Sequence, residues 1–103
     1  MGKHRDRLNI IAAILAACGS GACKSRIISA ANLNFKLLEK YLDDVIRAGL
    51  VQVEDQTYSL TEKGQEFLKR YRHYRERYIN AHQFLQHLGT EYEQLLRPFE
   101  GSP

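Results

Sequence analysis

The side chains able to do covalent, metal or acid–base chemistry are two cysteines, four histidines and twelve carboxylates, and their spacing points to none of it. Cys18 and Cys23 stand five apart around Gly19-Ser20-Gly21. Zinc takes about four ligands, and no third cysteine or neighbouring histidine completes a set, so no metal site is expected. A disulfide across the connection needs the two Cα atoms within about 7 Å. Two ordinary thiols, buried or half-buried, are the expected state of an intracellular chain. No glycine-rich phosphate loop follows a strand, and the carboxylates and histidines form no acid–base or metal spacing. The chain is read as a non-enzyme without cofactor and with no evident small-molecule ligand. What remains is polar recognition. Lys24, Ser25 and Arg26, followed by Asn34, Lys36 and Lys40, are the residue types that contact phosphates and base edges. Each lysine taken alone is a solvated surface charge, and the clustering of these six around one corner is what singles them out.

The elements that would position them follow from capping and periodicity. Asp6 can cap a first helix from about Arg7 to Ala17, with Leu8, Ile11, Leu15 and Cys18 as its apolar stripe and Gly19 in the left-handed position past its end. A second helix, about Cys23 to Ala31, turns Ile27, Ile28, Ala30 and Ala31 inward and carries Lys24, Ser25 and Arg26 at its start. Asn34 can accept from the free amides of a third helix, Phe35 to Ala48, closed by Gly49. Phe35, Leu38, Leu42, Val45 and Ile46 form its buried stripe. Glu39, Asp43 and Asp44 make its later turns unfriendly to a polyanion, which confines contacts to its first two turns. At Leu50 the period changes to alternation, and Val51 to Leu60 reads as a hairpin. Its Asp55-Gln56 connection lacks the glycine that positive φ prefers, so a longer or open turn is expected.

Thr61 caps a helix that meets no proline until Pro98, roughly 36 residues or about 54 Å. Phe67, Tyr71, Tyr74, Tyr78, Ala81, Leu85, Leu88, Tyr92 and Leu95 alternate steps of four and three along it, the seam of a coiled coil over about four heptads. One small domain cannot cover that seam, so a homodimer is expected. Lys69, Arg70, Arg72, Arg75 and Arg77 crowd the first half of the helix, and Glu91 and Glu93 the second, so antiparallel pairing opposes unlike charges. In that register Tyr71 meets the partner's Leu95, Tyr78 meets the partner's Leu88, and Leu68 flanks the partner's Leu96. His73, His82 and His87 fall mostly off the seam.

Length and charge agree with this scheme. A chain of 103 residues with 44% hydrophobic and 26% charged residues builds one small core, which excludes a multidomain enzyme and a disordered chain. The net charge of +3 suits a nucleic-acid partner without establishing one. Lys3, His4, Arg5 and Arg7 ahead of Leu8 to Cys18, with Leu15-Ala16-Ala17-Cys18 at the end, resemble a lipoprotein export signal. Asn9 and the helical stripe instead fit that run into the fold. No run reaches the ~20 apolar residues of a membrane span, so the expectation is a cytoplasmic protein without a membrane partner.

Three helices, a short hairpin and a long helix are the order of a winged helix, mainly α with a short β-hairpin. The chain resembles the small archaeal winged-helix DNA-binding proteins of the ten-kilodalton dimeric type. The likeness runs from Arg5 to about Tyr71, through Lys24-Ser25-Arg26-Ile27, Ala31-Asn32-Leu33-Asn34-Phe35-Lys36, Lys40-Tyr41-Leu42, Gly49-Leu50-Val51 and Leu60-Thr61-Glu62-Lys63-Gly64. It implies a helix-turn-helix over Cys23 to Ala48, with the third helix in the major groove of double-stranded DNA, and dimerisation through a C-terminal antiparallel coiled coil. The expected division is a winged-helix domain at 1–62, a dimerisation helix at 63–97 and a tail at 98–103. The implied role is a transcriptional regulator, with a DNA-organising protein or a winged-helix protein-interaction module as alternatives. The hairpin carries no lysine or arginine at its tip and lacks the Asp-Gly turn often seen in such proteins.

Overall fold

The computed structural model describes residues 6–101. Its order is α1 (Arg7–Cys18), α2 (Lys24–Ala31), α3 (Phe35–Arg47), β1 (Val51–Glu54), β2 (Thr57–Leu60) and α4 (Glu62–Leu96), followed by a 3-10 turn at Arg97–Phe99. The fold is the mainly helical winged helix with a long last helix that the sequence implies. Of the basic N-terminal residues, Lys3, His4 and Arg5 lie outside the described residues.

Helices α1, α3 and α4 begin where a side chain takes up a free amide. Asp6 accepts from the Asn9 N–H at 2.8 Å at the head of α1, and Asn34 accepts from the Leu37 N–H at 2.7 Å at the head of α3. Thr61 does two jobs: its hydroxyl donates to the Gly49 carbonyl at 2.6 Å and accepts from the Gly64 N–H at 3.0 Å, tying the start of α4 to the end of α3. The helix ends differ from expectation in one place. Gly19 has φ 14° and ψ −104°, outside the left-handed region. Asn32 takes that conformation instead, with φ 55°, at the end of α2. Gly49, with φ 80°, closes α3 while the Leu50 N–H returns to the Val45 carbonyl at 2.9 Å.

The hairpin pairs Val51 with Leu60 and Glu54 with Thr57. Its connection is the tight two-residue form, with Asp55 at φ 52° and Gln56 at φ 62°, not a longer or open turn. Both residues adopt the mirror-image turn that matches strand twist, Gln56 against its own preference. The Ala22 and Tyr58 backbones exchange hydrogen bonds at 2.8 and 2.9 Å, which fastens the hairpin to the connection between α1 and α2.

Ile14, Leu15 and Cys18 of α1, Ile27 of α2, and Leu38 and Val45 of α3 are the most deeply buried side chains, and Leu50, Val51 and Leu68 complete the core. Three residues expected inside are not. Leu8 is 46% and Phe35 58% exposed, and Ala30 faces solvent, because each stands at an end or edge where helical phase continues but the opposing element does not. Leu68, expected beside a second chain, is buried in the core of its own domain, and Phe67 and Tyr71 pack partly against that core. By contacts the chain divides into two compact units, residues 1–71 and 72–103, so the first turns of α4 belong with the winged helix. In the second unit every described residue is exposed, Tyr74, Tyr78, Leu85, Leu88, Tyr92 and Leu95 among them.

Candidate nucleic-acid interface

The six polar candidates fall on the starts of α2 and α3, and one lysine joins those starts. The Lys24 ammonium forms an ion pair with Glu39 at 2.5 Å and lies 5.6 Å from the centre of the Phe35 ring. The hydrogen bond to Glu39, with Tyr58 beside it, holds the Lys24 ammonium above its ordinary pKa. Lys24 is therefore committed within the protein, clamping the first turn of α2 to the first two turns of α3. Lys40 has its ammonium 5.6 Å from the centre of the Tyr41 ring. Arg26 and Lys36 are exposed and carry no ion pair among the described residues. Asn34 is exposed and spends its side-chain oxygen on the α3 cap.

The acidic later turns of α3 are quieter than their residue types suggest. Glu39 pairs with Lys24, Asp43 with Arg47 one turn on, and Asp44 with Arg7 of α1 at 3.7 Å. Each carboxylate thus has a cation beside it, and the local field opposing a polyanion is reduced.

Between the start of α2 and the hairpin lies a hollow of about 410 Å³ lined by Cys23, Lys24, Ser25, Gln56 and Tyr58. Cys23 occupies the cap position of α2 without a side-chain capping bond, and the start of α2 carries the partial positive charge of a helix N-terminus. Its thiol lies 3.3 Å from the Ser25 hydroxyl, and that hydrogen bond holds it below the usual cysteine pKa. Cys18 is wholly buried, and burial pushes its thiol up to about 11. Neither cysteine is in a disulfide. Among the described residues no cluster of His, Cys, Asp and Glu could hold a metal ion, and no helix is long and apolar enough to cross a membrane.

Phe35 is the site residue that periodicity misplaced. It sits in phase with Leu38 and Leu42, yet it occupies the first position of α3, beyond the reach of the core. The Lys24–Glu39 clamp was also beyond sequence reasoning, since a fifteen-residue separation has no helical register to announce it.

The winged helix-turn-helix family model matches residues 4–79, three-quarters of the chain and all of the elements just described up to the first half of α4. The chain belongs to the winged helix-turn-helix family. Among solved structures, this winged helix-turn-helix protein is similar to Sso10a-2, a DNA-binding protein from Sulfolobus solfataricus. The two are 26% identical with a TM-score of 0.65, over 82% of this chain and 96% of that one. No curated protein matches the chain.

Proposed function

We propose that the protein binds double-stranded DNA with the corner formed by the starts of α2 and α3, and acts as a transcriptional regulator rather than as an enzyme. The observation that carries this reading is the Lys24 bridge from α2 to Glu39 and Phe35, which makes one exposed surface of two helix starts. The family and the DNA-binding character of Sso10a-2 support it. Arg26 and Ser25, at the positive start of α2, serve the phosphate backbone. Lys36 and Asn34 stand where the first turn of α3 meets base edges in the major groove, and Lys40 extends the contact by one turn. Lys24 acts as the positioning residue of the corner.

The working molecule in this reading is a homodimer, held by an antiparallel coiled coil of α4 centred near Ala81 and Leu85. Its seam runs through Tyr74, Tyr78, Ala81, Leu85, Leu88, Tyr92 and Leu95, with Phe67 and Tyr71 shared between seam and domain core. A titration of unrelated duplexes at several salt concentrations tests the function. Retention that falls steeply as salt rises is expected, because phosphate neutralisation releases counterions. Absence of retention at low salt would leave the winged helix as a protein-interaction module.

A further inference from the structure

A large apolar side chain stands where the proposed interface is otherwise polar. Phe35 is 58% exposed at the first position of α3, directly between Asn34 and Lys36. Burying such a ring is favourable, and the aromatic residues that pack on the core, Tyr58, Phe67 and Tyr71, are all less exposed. Tyr41, six residues on in the same helix, is 9% exposed. Nor is the ring a loose surface group, because the Lys24 ammonium lies 5.6 Å from its centre and is itself held by Glu39. One side of the ring is thus backed by a clamped cation, and the rest is offered to whatever meets the head of the helix.

We propose that Phe35 reads thymine, by apolar contact with the C5 methyl group in the major groove. The inference rests on the DNA-binding reading above and deepens it from backbone attachment to base preference. Among the groups that base pairs expose in the major groove, donors and acceptors suit Asn34 and Lys36, while the thymine methyl is the apolar one that an aromatic ring can cover. Charge settles the occupant in favour of DNA over an apolar protein surface. The Lys24 charge behind the ring is matched by Glu39, whereas Lys36, next in the chain, and Arg26 at the start of α2 are exposed and carry no ion pair among the described residues, so the uncompensated charge around Phe35 is positive. Phe35 is the specificity-determining residue of this scheme, and it makes the protein favour sites with thymine facing the first turn of α3.

The test uses the full chain and two mixed-sequence duplexes that differ only in having every thymine replaced by uracil, which removes the methyl groups and keeps the base pairing. Binding is measured by fluorescence anisotropy at one fixed salt concentration. The wild-type protein is expected to bind the thymine duplex about three- to fivefold more tightly, the effect of covering roughly one methyl group. Phe35→Ala should lower affinity for the thymine duplex and bring the ratio to about one, with its melting temperature near wild type because the side chain is exposed. Equal wild-type binding to both duplexes, with salt dependence intact, would overturn the thymine contact and leave DNA binding standing. A ratio that persists in Phe35→Ala would also overturn it, by placing methyl recognition elsewhere. No binding to either duplex would overturn the DNA-binding reading itself. Should Phe35→Ala fail to fold, the wild-type ratio together with Phe35→Leu, expected to keep part of the preference, still decides.

Discussion

The two cysteines show how far environment separates residues of one type. Cys23 is exposed with its thiol pKa lowered by Ser25, whereas Cys18 is enclosed and its thiol is pushed up to about 11. A small alkylating reagent should label Cys23 in the native protein and reach Cys18 only as the chain unfolds; rapid native labelling of both would contradict the packing of α1. The raised value also has a pH consequence. Between the ordinary value of 9.0 and about 11 the unfolded chain loses this proton while the folded chain keeps it. Stability is therefore unaffected by this group below pH 9 and declines as pH rises from there, the loss being complete by about pH 11. Urea unfolding of wild type and Cys18→Ala across that range should show a steeper alkaline decline in wild type; parallel curves would dismiss the effect. Gln56 is the other residue set against its nature, at φ 62° in the hairpin turn. Gln56→Gly should stabilise the domain by about 0.5–1 kcal/mol in the same unfolding experiment, since glycine takes that conformation without Cβ crowding.

Among the elements, α4 approaches the base of the hairpin, at Leu50 just before β1 and Leu60 at the end of β2, through a single glycine. A Cβ at Gly64 would lie 2.1 Å from the Leu50 carbonyl oxygen and 2.9 Å from Leu60 Cδ1. Gly64→Ala is expected to cost about 1–3 kcal/mol or more by overpacking, read as a lower urea midpoint, and a neutral result would mean that α4 does not dock so closely. Gly64 falls in a stretch that carries the family resemblance, but neither capping nor periodicity gives a reason for it, because its constraint comes from a backbone fourteen residues earlier. Capping and period, by contrast, are local, and Asp6, Asn34 and Thr61 announced the starts of α1, α3 and α4. Periodicity also found the inward phase of α3 through Leu38, Leu42 and Val45, but phase does not say where the opposing element stops, and so Phe35 was placed inside. The six candidate contact residues were legible as a cluster of types. That Lys24 would be spent on Glu39 and the Phe35 ring was not, because the crossing of α2 over α3 is a tertiary fact.

For the whole molecule, the apolar positions of α4 from Tyr74 to Leu95 are exposed on this chain, and the proposed homodimer would cover them with a second copy. Light scattering should report a dimer at micromolar concentration, and Leu85→Asp should shift it to monomer by placing a charge at the centre of the seam; a wild-type monomer would remove the homodimer from the account while leaving the reading head intact. The most direct measurement is the salt dependence of duplex affinity for wild type and for the Arg26→Ala/Lys36→Ala double variant, with melting temperatures recorded alongside. A linear fall of log affinity with log salt is expected in wild type, and in the double variant weaker binding with a slope shallower by about one per head, as the lost Arg26 phosphate contact removes roughly 0.9 while the loss of Lys36 lowers affinity at the base edges. An unchanged slope and affinity in a folded double variant would show that the corner of α2 and α3 does not touch DNA.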